Sequence, residues 1–219
     1  MYTEYGYRNF AMADKPIHNV DDMKNLKIRT TDSKVEVGVV RALHAQAMPV
    51  AWGETYTALS QGTIDGEGNT WSLLLSAHHN EALKYGIESR HNYSMHILVM
   101  GLDRWNKLSK EQQDILQEAC HEALTWQRSI AFKNEEKNKQ TMIDAGTDIY
   151  DPTDEELQGF KDAIRPVWDQ FIGKTIPQEA VDMILATQSD DYRLLGKSNE
   201  EAASDIIAKS GETGEGATK

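Results

Sequence analysis

An arginine at the end of a strand, followed by a hydroxyl that opens a helix, can hold a carboxylate. Arg29 lies near the end of the alternating segment LKIRT (26–30), and Ser33 begins the helical pattern that follows. A guanidinium grips a carboxylate with two parallel hydrogen bonds. Helix-start amides favour the same charge, and open α/β sheets place ligands at the carboxyl ends of their strands. Arg8 offers a second cation on a separate, extended segment. Trp52 follows the proline turn at Pro49 and can wall a pocket. Asn69 closes the glycine-rich run DGEGN (65–69), read as a loop, and can donate or accept. Each also has a plainer reading: a surface charge, a core indole, a turn-forming amide.

Residues for catalysis are harder to find. The seven histidines, including adjacent His78 and His79, show no HExxH or comparable metal spacing. Cys120 is the one cysteine, which excludes an internal disulfide and a multi-cysteine zinc site. There is no GxSxG elbow. DGEGN lacks the GK[ST] ending of a phosphate loop and carries acids where phosphate would sit. No paired acid–base arrangement can be read from the spacing. The residues suit binding rather than an enzyme, with no metal and no cofactor.

The elements that must position these residues are marked by helix starts. Ser33 with Glu36, Ser109 with Gln112, and Thr153 with Glu156 each read as a capping box. They predict helices over about 34–44, about 110–145 and from 154 through Phe171, the last kinked at Pro166. The second would be roughly 50 Å long at 1.5 Å per residue, too long for one compact lobe. Strands are expected over 26–30, over 47–51 at a sheet edge because of Pro49, over 94–100, and over 147–150. Strands alternating with helices make the class α/β. The stretch from Lys197 onward is Gly-, Ser-, Glu- and Lys-rich and reads as a disordered tail around one short helical segment, AASDIIA.

The 219 residues carry 23 Lys plus Arg against 35 Asp plus Glu, a formal net charge of −12. That balance argues against nucleic acid and against a polybasic membrane role. Mean hydropathy is −0.60, and no apolar run approaches the ~20 residues of a membrane helix. The first residues, MYTEYGYRNF, show no secretory signal.

Taken in order, these segments resemble the solute-binding proteins of TRAP (tripartite ATP-independent periplasmic) transporters. The matching blocks are GYRNF (6–10), KPIHNVDDMKNLKIRTTDS (15–33), ALHAQAMPVAWGETYTALSQGTIDGEGNTWS (42–72), NEALKYGIESRHN (80–92) and WNKLSKEQQDILQEA (105–119). The resemblance implies a periplasmic-binding-protein-like fold of two α/β lobes that close on a small organic acid and deliver it to TRAP permease subunits. By the family's pattern Arg29 is the carboxylate clamp and Arg8 the second cationic contact. Trp52 is an aromatic wall, Asn69 a pocket asparagine, and Asp32 can touch the ligand where it meets a hydroxyl or amine. GNTWS (68–72) is similar to the variant in binders of four-carbon dicarboxylates. Where the family has an amide–acid pair, this chain has Glu67–Gly68, so Gly68 is expected to leave a side chain missing beside the pocket.

The family's N-terminal portion has no counterpart in this chain. Residues 7–93 and 135–190 are expected to form the second lobe, 94–134 a strand and long helix crossing to the first, and 191–219 a polar tail. A surface around Ile97, Leu98 and Val99 would then be left open for self-association. Two other readings stand beside the receptor: a truncated, unexported lobe with no present transport function, and an intracellular α/β enzyme acting on a carboxylic acid through His91 or Asp65.

Overall fold

The computed structural model describes residues 2–187. Its strands are β1 (Tyr2–Met12), β2 (Lys27–Thr30), β3 (Gln46–Pro49), β4 (Gly66–Asn69), β5 (Tyr85–Ile97) and β6 (Asp148–Tyr150). Its helices are α1 (Lys34–Ala42), α2 (Thr55–Ser60), α3 (Trp71–Ser76), α4 (Leu102–Trp105), α5 (Lys110–Asp144), α6 (Asp154–Trp168) and α7 (Gln178–Thr187). One mixed sheet has the order β3-β2-β4-β1-β5-β6. β2 pairs in parallel with β3 and β4, and β5 with β6, while β1 runs antiparallel to β4 and β5. The α/β expectation holds, and β3, with Pro49, lies at the sheet edge.

Period-2 alternation sends the side chains of this sheet to two cores. On one face Phe10, Met12, Ile28 and Ile87 pack with Val40 of α1 and with Phe160 and Ile164 of α6. On the other, Ala11 packs with Leu59 of α2, Trp71 and Leu74 of α3, and Met142 of α5. Gly38, which weakens α1 by propensity, is the point where α1 meets α6: a Cβ there would lie 3.0 Å from Val167 Cγ1. Close helix packing accounts for the glycine.

The capping boxes at Ser109 and Thr153 form in full. That at Ser33 does not: Ser33 accepts from Glu36 N, but the Glu36 carboxylate turns to the Thr31 amide and hydroxyl and to Arg8. α6 ends two residues after Pro166, so the proline falls in its last turn. The strand expected over 94–100 is the far end of the 13-residue β5, which stops at Ile97. β4 was expected as loop and is a strand; its glycines hid it. The tail 191–219, with AASDIIA, lies outside the described residues.

α5 has the length expected of it, but only Leu124 and Met142 are buried along it. Gln127 clasps the backbone of β1, its Oε1 accepting from Glu4 N at 2.9 Å and its Nε2 donating to Glu4 O at 2.7 Å. Glu135 accepts from the amides of Trp71 and Ser72 and so caps the start of α3. Burial pushes the Glu135 carboxyl up, partly offset by these bonds. Beyond this anchorage the sheet end and the first half of α5 are open: Ile97, Leu98, Val99 and Leu102 are exposed, Val99 to 79%. No helix among the described residues is long and apolar enough to cross a membrane.

Candidate functional site

The carboxyl ends of β2 and β4 form one edge of the sheet, and register brings the predicted residues to it. Arg29 is paired with Glu67 across β2 and β4, and Asn69 with Asn9 across β4 and β1. Arg8 therefore stands one step past the end of β4. Arg29 is only 7% exposed. Its Nε donates to the Val50 carbonyl at 3.0 Å, and its guanidinium lies 5.4 Å from the centroid of the Trp52 ring. One polar bond and one cation–π contact thus fix the fork. Its two terminal nitrogens have no hydrogen-bond partner among the described residues. Burial pulls the Arg29 pKa down, with Glu67 and Glu36 offsetting part of that.

Arg8 reaches from β1 to α1 and pairs with Glu36 at 2.5 Å. Burial pushes the Glu36 carboxyl up, but the Thr31 hydroxyl and amide together with Arg8 outweigh it and hold the group below the usual range. Arg8 Nε and Thr30 Oγ1 are buried without a hydrogen-bond partner. Unmatched buried polar atoms are rare in proteins, and here two lie at the same edge.

Beneath the edge is a network that the sequence did not announce. Glu67 is fully buried; its Oε1 meets His79 Nδ1 at 2.5 Å and its Oε2 accepts from Asn69 Nδ2 at 3.3 Å. Asn69 Oδ1 in turn accepts from Tyr5 Oη and from the Thr70 amide, each at 3.3 Å. His79 lies against Trp52, ring centroids 4.6 Å apart. Asn69 is 0% exposed and its amide is largely engaged within the protein, whereas Trp52 is 38% exposed. Asp32 is exposed, in the loop between β2 and α1. The signal for Glu67 and His79 was an acid facing Arg29 by strand register, which needed β4 to be recognised as a strand.

Gly68 faces the opposite side of β4 from Glu67 and Asn69. A Cβ there would lie 2.7 Å from His91 Nε2. The space expected to be left by the missing side chain is filled by an imidazole. A small cavity of about 60 Å³ adjoins this network between β1, β5, α3 and α5, lined by Tyr5, Asn9, Trp71, Glu88, Arg90 and Glu135 among others. Among the described residues no group of three or more His, Cys, Asp or Glu could hold a metal ion.

Comparison with known proteins gives this arrangement a context. The family model described as "Bacterial extracellular solute-binding protein, family 7" matches residues 1–175. The 2,3-diketo-L-gulonate-binding periplasmic protein YiaO of Escherichia coli is 31% identical over 180 residues, 82% of this chain and 54% of that protein. The C4-dicarboxylate-binding periplasmic protein DctP of Vibrio cholerae is 31% identical over 174 residues, 80% of this chain and 52% of that protein. Among solved structures, a TRAP periplasmic solute-binding protein from Roseobacter denitrificans with bound β-D-glucuronate superposes with a TM-score of 0.80 at 26% identity, covering 85% of this chain and 62% of that one. The chain thus spans about half the length of the curated relatives it matches. The match over residues 1–175 and the shared fold lead to one conclusion: the chain belongs to the bacterial extracellular solute-binding protein family 7, the TRAP solute-binding proteins.

Proposed function

We propose that this chain carries the anion-gripping wall of a periplasmic TRAP receptor for a small organic acid, which it passes to membrane permease subunits. Arg29 is the carboxylate clamp, Arg8 the second cationic contact and Trp52 the aromatic wall; Asn69 and Asp32 complete the set. The observation that carries the reading is the sheet edge itself. Arg29 presents free terminal nitrogens from a fixed guanidinium, and Arg8 Nε and Thr30 Oγ1 stand buried and unpartnered beside it. Relatives named for a diketogulonate, a C4-dicarboxylate and a glucuronate share the carboxylate and differ in the rest. The four-carbon class is the reading of GNTWS. TRAP solute-binding proteins are transport receptors, and a receptor needs grip rather than an acid–base pair.

In the division of the chain that we favour, 7–93 and 135–190, of which 188–190 lie outside the described residues, make one lobe and 94–134 crosses to the other. The open face at Ile97, Leu98 and Val99 supports this, and it is also where two copies would meet. A ligand that binds the native state raises the melting temperature with concentration. Succinate and glucuronate are expected to raise it for the wild type and not for Arg29→Ala. Equal rises in both proteins would reject the clamp.

A further inference from the structure

His91 lies on β5 beside the arginine edge and is half-buried. Its ring stacks on Phe10 with centroids 3.8 Å apart and 9° between planes. It occupies the volume that any side chain at position 68 would need, Nε2 and Cε1 lying 2.7 and 2.8 Å from a Cβ built on Gly68. Ser89 Oγ accepts the Phe10 amide at 3.3 Å and stands 2.9 Å from His91 Nδ1. The Ser89 proton has no other acceptor among the described residues, so it goes to Nδ1. The ring proton is thereby placed on Nε2, which has no hydrogen-bond partner among the described residues. Burial, with Arg8 next in effect, lowers the imidazole pKa to about 3, and Glu36 offsets only part of this. At neutral pH the ring is uncharged.

We propose, on the reading of the arginine edge given above, that His91 is a specificity-determining ligand contact. Its Nε2–H recognises a neutral oxygen on the carbon next to the carboxylate held by Arg29 and Arg8. A neutral donor suits a hydroxyl, carbonyl or ring oxygen, because a second carboxylate is served better by a cation. The preferred ligands are therefore 2-oxygenated acids. Gly68 is the companion feature, since any larger residue there displaces the ring.

Malate is succinate with one added 2-hydroxyl, so the pair isolates this contact. Amide chemical-shift titrations of the full chain with each acid give the two dissociation constants. The wild type is expected to prefer malate about fivefold, the worth of one neutral hydrogen bond. His91→Phe abolishes the preference and leaves succinate binding in place, while His91→Gln, which retains a donor at the same reach, keeps it. Should His91→Phe fail to fold, Gly68→Ala displaces the ring and must lower the malate-to-succinate ratio. An unchanged ratio in a folded His91→Phe or Gly68→Ala protein, or no wild-type preference, overturns the contact and leaves the arginine clamp standing. Absence of binding by either acid overturns both.

Discussion

A histidine kept neutral inside the native state makes stability fall with acid, and the size of that fall can be worked out. The His91 pKa is about 3 in the folded chain against 6.5 for a free imidazole. A folded-state value below the unfolded one contributes stability above the unfolded pKa, and loses it as pH falls toward the folded one. Between pH 7 and pH 5 the unfolded chain takes up a proton that the native ring refuses. For one such group this amounts to about 2 kcal/mol, reduced to about 1–2 kcal/mol because the side chain is only half-buried. Burial raises the Glu4 and Glu135 carboxyls. Their stabilisation is present at low pH and is lost as pH rises, so they oppose His91. Comparison with a variant cancels them, together with the other histidines. Denaturant unfolding of wild type and His91→Phe at pH 7 and pH 5 measures the difference directly. The variant should lose about 1–2 kcal/mol less than the wild type on acidification. Equal losses would show that the ring is free to protonate, and would remove the basis for its neutral donor.

Other predictions follow from packing and charge. Gly38→Val forces α1 away from Val167 and should cost about 1–3 kcal/mol, read from the denaturation midpoint; an unchanged midpoint would mean the helices separate freely. Arg29→Ala should weaken succinate about tenfold or more, since each charge-assisted bond is worth roughly 1.5–3 kcal/mol. Arg8→Ala should weaken it less, because part of the Arg8 charge is already spent on Glu36; the reverse order in a titration would exchange their roles. Sedimentation velocity should show concentration-dependent self-association that Val99→Lys with Leu102→Lys reduces. A monomeric wild type at all concentrations would contradict that surface's role.

Much of the framework was legible because it rests on local chemistry. Ser109 and Thr153 marked helix starts that formed as caps, and Pro49 marked an edge strand. LKIRT placed Arg29 at a strand end by alternation alone. What escaped depended on partners distant in sequence. β4 is GEGN, with no β-branched or aromatic residue, and it is a strand because β1 and β2 flank it. Read without those neighbours the run is a loop, which puts Asn69 in that loop and hides both the buried Glu67–His79 pair and the side that Gly68 faces. Ser33 kept half of its box because Glu36 found stronger partners in Thr31 and Arg8. The arginines, tryptophan and asparagine were found by type and by family pattern. Their meeting at one edge is a product of strand order.

In the proposed receptor, Arg29 and Arg8 hold a carboxylate at the carboxyl edge of β2 and β4. An amide correlation spectrum of the full chain, titrated with succinate and with glucuronate, tests it most directly. Saturable shifts centred on Arg29, Arg8, Asn69 and the Trp52 indole are expected, as is their loss in Arg29→Ala while the spectrum stays dispersed. Shifts centred instead on the cavity between β1 and α5, or equal affinities for wild type and Arg29→Ala, would contradict it.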